Sequence, residues 1–97
     1  MSAKHKWKRG SFVTKQVDKS KPDVTVEGYV LDGKIGIDRR DGWWWATELA
    51  SGYWIANDDK KAPLQRLIER YLDVLGGDVT KSEDEKFAAL QEARYGN

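Results

Sequence analysis

The sequence predicts an α+β fold: a four- or five-stranded antiparallel meander followed by two α-helices, the first packed on one sheet face. Three observations carry this expectation. Short alternating apolar runs between residues 11 and 57 are punctuated by Asp-Gly and Ser-Gly pairs, the grammar of hairpins. A Leu-rich stripe at three-and-four spacing occupies residues 64–75. All strand signals precede all helix signals, the order of an α+β domain rather than of alternating βα units.

The N-terminal stretch 1–10 (MSAKHKWKRG) lacks periodicity and reads as a mobile basic arm, with 11–97 as a single α+β domain. Ser11 to Val17, rich in Val, Phe and Thr, reads as the first strand, and 18–23 as a loop. Val24 to Leu31 alternates with Val24, Val26 and Val30 on one face. Asp32-Gly33 supplies the two positive φ angles of a type I′ turn. A two-residue loop there pairs Val30 with Ile35 and Gly28 with Ile37, and sets Tyr29 over Gly36.

Arg40-Asp41-Gly42 and Ala50-Ser51-Gly52 each resemble a three-residue hairpin loop ending in a left-handed glycine. Those loops pair Ile37 with Trp45, Leu49 with Tyr53 and Thr47 with Ile55. The core face then holds Trp43, Trp45, Leu49, Tyr53 and Ile55. The opposite face holds Trp44, Ala46, Glu48, Trp54 and Ala56.

Leu64, Leu67, Ile68, Tyr71, Leu72 and Leu75 form one helical stripe, expected to lie across the core face. Asp58 or Asp59 caps its start, Pro63 fits its first turn and Gly76-Gly77 ends it. Thr80-Lys81-Ser82-Glu83 and Ser82-Glu83-Asp84-Glu85 both fit a capping box, placing a second helix from near residue 81 to near Gly96. Phe87, Leu90 and Tyr95 are its apolar residues, a thin face.

Composition narrows the function classes. The 97-residue chain has no cysteine, which excludes disulfides and thiolate metal sites. Apolar runs are far shorter than the roughly 20 residues of a membrane span, and no apolar stretch follows the basic N-terminus as a signal peptide requires. The expectation is a cytoplasmic protein. The net charge of +1 hides an asymmetry: residues 1–21 carry +6, 22–59 carry −5 and 60–97 are neutral. A basic arm beside an acidic sheet suits a charged partner or serves as a solubilising tail.

Nothing in the chain reads as catalytic. His5 is the only histidine and lies in the arm, whereas a general base must be held within hydrogen-bond reach of its proton. Asp38, Asp41, Asp58 and Asp59 are candidates to gather around Mg²⁺, but a turn and a helix cap account for three of them. The expectation is a non-enzymatic protein with no metal or cofactor.

Five tryptophans in 97 residues point to binding. In Trp43-Trp44-Trp45 the middle ring must point away from its neighbours. One helical stripe covers one face, so Tyr29, Trp44 and Trp54 are expected on an uncovered face as a partner site. Lys4, Lys6, Lys8 and Arg9 flank Trp7, and Arg39 and Arg40 add charge at a hairpin end. Basic residues interleaved with rings also suit nucleic acid, where charge tracks phosphate and rings stack on bases.

Residues 43–72, Trp-Trp-Trp-Ala-Thr-Glu-Leu-Ala-Ser-Gly-Tyr-Trp-Ile and the Leu-rich helix, resemble a pattern in small phage and prophage open reading frames. The resemblance covers about a third of the chain. It implies an accessory viral protein that inhibits a host enzyme or anti-phage defence complex in the host cytoplasm. It transfers no site residue, and the basic N-terminal arm and the Trp triplet are not part of the pattern. The two functional expectations are thus a protein that docks on a host protein and, alternatively, a nucleic-acid-binding protein.

Overall fold

A computed structural model describes residues 5–16, 18 and 20–96. The order is β1 (Trp7–Thr14), β2 (Val24–Leu31), β3 (Ile35–Arg40), β4 (Trp43–Glu48), β5 (Trp54–Asp58), α1 (Lys61–Leu75) and α2 (Glu83–Tyr95). The strands form one antiparallel sheet in sequence order, so the fold is α+β with a five-stranded meander followed by two helices. The chain divides into two compact units, one through Leu64 and the other from Gln65 onward. Among the described residues no helix is long and apolar enough to cross a membrane.

In the first unit, β1 starts earlier than the sequence suggests. Trp7 to Gly10, expected in a mobile arm, are strand, paired with Leu31 to Gly28. The cause is the length of β2: all eight of its residues find partners in β1, which extends the ladder back to Trp7. The first strand therefore ends at Thr14, and Val17 lies outside the described residues.

The hairpin turns form where expected, but their registers differ. Asp32 and Gly33 have φ of 54° and 66°, and Lys34 N–H donates to the Leu31 carbonyl at 2.9 Å, closing a type I′ turn. Lys34 is then an extra residue. Its carbonyl accepts from Leu49 N–H at 2.9 Å rather than joining the β2 ladder. Leu31 consequently pairs with Ile35, Val30 with Gly36 and Tyr29 with Ile37. Val30 and Ile35 lie on opposite faces, contrary to the expected pairing, and the ring over Gly36 is that of Phe12, not Tyr29.

The β3–β4 loop has two residues, not three: Asp41 and Gly42, with φ of 55° and 82°, between the paired Arg40 and Trp43. Ile37 therefore faces Ala46 instead of Trp45. At the β4–β5 loop Glu48 N–H donates to the Tyr53 carbonyl at 2.9 Å, and a bulge between Ala46 and Thr47 sets Thr47 against Trp54.

These slips invert the expected faces. One face buries Leu31, Ile35, Ile37, Ala46 and Ala56. Trp43 and Tyr53, expected in the core, are 47% and 48% exposed. Glu48 is buried as well, with Ser51 Oγ donating to it at 2.8 Å.

The second face has its own buried centre of Phe12, Thr14, Gly36, Asp38 and Thr47. Thr14 and Thr47 stand on strands three spacings apart, roughly 14 Å in a flat sheet. Their hydroxyls are 3.1 Å apart, and Lys15 N–H donates to the Gly52 carbonyl at 2.8 Å. The sheet is therefore curled around this face. Phe12 packs against the bare backbone of Gly36, where a Cβ would sit 2.5 Å from the ring.

The first turn of α1 also belongs to this unit. Asp58 Oδ1 accepts from Lys60 N–H at 3.0 Å, an Asx turn that leads into the helix.

In the second unit, the α1 residues Leu67, Ile68, Tyr71, Leu72 and Leu75 are all buried, as the stripe predicts. Gly76 and Gly77, both at positive φ, end the helix. Gly77 N–H donates to the Leu72 carbonyl at 2.8 Å and Gly76 N–H to that of Asp73 at 3.0 Å, a Schellman pair. Of the two possible capping boxes the Ser82–Glu85 one forms, while the Thr80 side chain turns to Asp78. Arg70 Nε donates to the Ala93 carbonyl at 2.9 Å, tying α1 to α2. The buried stripe of α2 is Ala89, Leu90 and Ala93, whereas Phe87 and Tyr95 are exposed.

Candidate binding surface

The sheet register sorts the candidate residues into two groups. On the first face Arg9 pairs with Tyr29, and Arg39 with Trp44. Tyr29 and Trp44 are half-buried, with ring centroids 6.5 Å apart and planes at 37°. The Arg9 guanidinium lies 5.7 Å from the Tyr29 centroid. Lys61 Nζ lies 4.5 Å from Tyr29 and 5.8 Å from Trp44. Two rings are thus capped by two cations, an arrangement stabilised by the negative ring faces. Trp7 lies on the same face, two residues before Arg9.

Lys61 is the residue that sequence reasoning missed. Its place above the rings depends on the Asx turn at Asp58 and on Asp58 pairing with Trp44. No spacing in the chain signals that juxtaposition.

Trp54, expected beside Trp44, is not there. The bulge in front of it turns its ring toward Trp45, at 5.3 Å and 81°, an edge-to-face pair on the second face. Arg40 lies on this face too, its guanidinium 5.7 Å from the Trp45 centroid and its Nε 2.7 Å from Asp38 Oδ2. Lys8 pairs with Val30 and so faces away from Arg9. Lys6 is exposed just before β1, and Lys4 lies outside the described residues. The expected surface is therefore split between two sheet faces, and among the described candidates Tyr29, Trp44, Arg9, Arg39 and Trp7 share one of them.

Asp38 is the unusual ionisable group. Its side chain is 2% exposed, and among the described residues Oδ1 has no hydrogen-bond partner. Burial pushes its pKa up, and the Arg40 charge only partly opposes that. Relative to the unfolded chain, burial thus shifts the Asp38 equilibrium toward the protonated form. That contribution is complete below the unfolded carboxylate value of about 3.9 and is lost as pH rises through the raised folded value. Asp38→Asn is expected to gain stability relative to the parent as pH rises from about 3 to 7. Parallel thermal melts across that range check this, and an unchanging difference would refute it.

Asp38 and Asp58 lie on opposite faces, so the four candidate acids do not gather. Among the described residues no three His, Asp or Glu side chains are grouped to hold a metal ion. No family model, curated protein or solved structure matches this chain.

Proposed function

We propose that the chain is a non-enzymatic binding protein that docks on a partner protein through the Tyr29–Trp44 surface. The observation that carries this reading is the pair of half-exposed rings beneath Arg9 and Lys61, with Arg39 beside Trp44. Aromatic rings and arginines supply most of the energy of protein interfaces when a partner excludes water from them. The cations favour an acidic partner surface. In the setting that the phage-like pattern implies, the partner is a host protein or a defence complex.

Nucleic acid is the second reading. It is favoured by Arg9 stacked on Tyr29 with Lys6 and Lys8 exposed close by in sequence. Capture from host lysate, with and without nuclease, separates the two. Protein docking predicts a complex that survives nuclease and persists from about 50 to 200 mM salt, a range over which phosphate-driven binding falls steeply. Trp44→Ala is expected to weaken docking by about 2 kcal/mol or more. Loss of the complex on nuclease treatment, or equal capture by Trp44→Ala, would overturn protein docking at this surface.

A further inference from the structure

The second face of the sheet carries a cavity of about 300 Å³, lined by Trp45, Trp54, Arg40, Lys15, Lys21 and Asp41, together with Gln16 and Asp18. That volume is at the lower end of the roughly 300–1,000 Å³ of small-molecule sites. We propose that it binds a planar aromatic ligand bearing one anionic group, with Trp54 as the stacking surface and Arg40 as the anion clamp.

Three features argue for this. Trp54 is 46% exposed, although its neighbour Trp45 already meets it edge-on. Its remaining surface is a platform of the right chemistry for a flat ring. Arg40 is held from two sides, by the Trp45 ring and by Asp38 Oδ2 at Nε. The Nε contact to Asp38 is an ion pair without hydrogen-bond geometry, and among the described residues no hydrogen bond engages the terminal nitrogens. A guanidinium fixed in this way presents a fork for a carboxylate or phosphate without first losing rotamer freedom.

The third feature is the cost of Asp38. A buried ion pair contributes little net stability, because desolvation offsets the attraction. Its clearest structural consequence here is the orientation of Arg40. Asp38 is accordingly a positioning residue.

The rim carboxylates of Asp18 and Asp41 are matched in number by the cations of Lys15 and Lys21. Asp18 Oδ1 accepts from both the N–H and the Oγ of Ser20, at 3.0 and 2.7 Å. Asp41 is exposed in the β3–β4 turn. Lys21 makes no ion pair among the described residues, and Lys15 shares its charge with Asp23 at 3.5 Å.

The test titrates the full chain with AMP, adenosine, inorganic phosphate and indole-3-acetate, read by indole N–H resonances and calorimetry. Either or both of AMP and indole-3-acetate should bind saturably, and which does so identifies phosphate or carboxylate as the anion. The neutral adenosine should bind at least ~10-fold more weakly than AMP, and phosphate alone should leave the indoles unmoved. Trp54→Ala should lose ~10-fold or more for each anionic aromatic that binds. Arg40→Ala leaves the Asp38 charge unpaired, so the double variant Arg40→Ala/Asp38→Asn removes the clamp without that penalty and should lose as much. Asp38→Asn alone should weaken the anionic probe but not adenosine, a split that a merely structural role would not produce. No saturable binding of either anionic aromatic up to about 5 mM would overturn the proposal. So would affinities unchanged in Trp54→Ala and in the double variant, or binding abolished instead by Trp44→Ala.

Discussion

Gly28→Ala is expected to destabilise the sheet by at least about 3 kcal/mol, while Gly10→Ala, at its direct cross-strand partner, costs less than about 1. Both glycines sit in mid-strand, and propensity alone treats them alike. Their surroundings do not. A Cβ on Gly28 would overlap the Ile37 carbonyl oxygen and lie 2.9 Å from that carbonyl carbon and 3.1 Å from Asp38 Cα. These are backbone atoms of β3, which no rotamer change moves aside. A Cβ on Gly10 meets only Val30 Cγ2, at 3.7 Å, an ordinary contact. Since a domain has only roughly 5–15 kcal/mol of stability in total, the Gly28 variant should melt at much lower urea. Equal midpoints for the two variants would show that β2 and β3 do not approach as described.

Leu72→Ala is expected to cost about 2–5 kcal/mol, the sum of lost transfer energy and the cavity left behind. Leu72 is 2% exposed in the stripe of α1, and its carbonyl also accepts the Gly77 N–H that ends the helix. Val74, two residues on, is 39% exposed, and Val74→Ala should stay within about 0.5 kcal/mol. For a chain of this length each kcal/mol shifts the melting temperature by roughly 4–8 °C, so the two variants should separate clearly by circular dichroism. A Leu72→Ala midpoint close to that of Val74→Ala would mean that the stripe does not form a core.

The elements that were legible in the chain are those decided within a few residues. Asp32-Gly33 adopts the left-handed pair of angles because a type I′ turn needs them and these residues tolerate them. Gly76-Gly77 ends α1, and Ser82 with Glu85 starts α2, because orphan helix amides and carbonyls must find partners nearby. The burial of Leu67 through Leu75 follows from a 3.6-residue period.

Register was decided elsewhere. Lys34 is bulged out because its carbonyl serves Leu49, fifteen residues away and beyond β4. Asp41-Gly42 closes as a two-residue turn because Arg40 and Trp43 pair. A third irregularity, at Ala46 and Thr47, carries Trp54 to the face opposite Trp44. Each slip is a single residue, but side chains alternate with a period of two, so each one exchanges the faces of a strand. The aromatic composition carries the expectation of binding, whereas the partition of the rings between a Lys61-capped surface and an Arg40-lined cavity exists only in the paired sheet. Hydrogen bonds between strands distant in sequence choose among registers that local propensity leaves equal in energy.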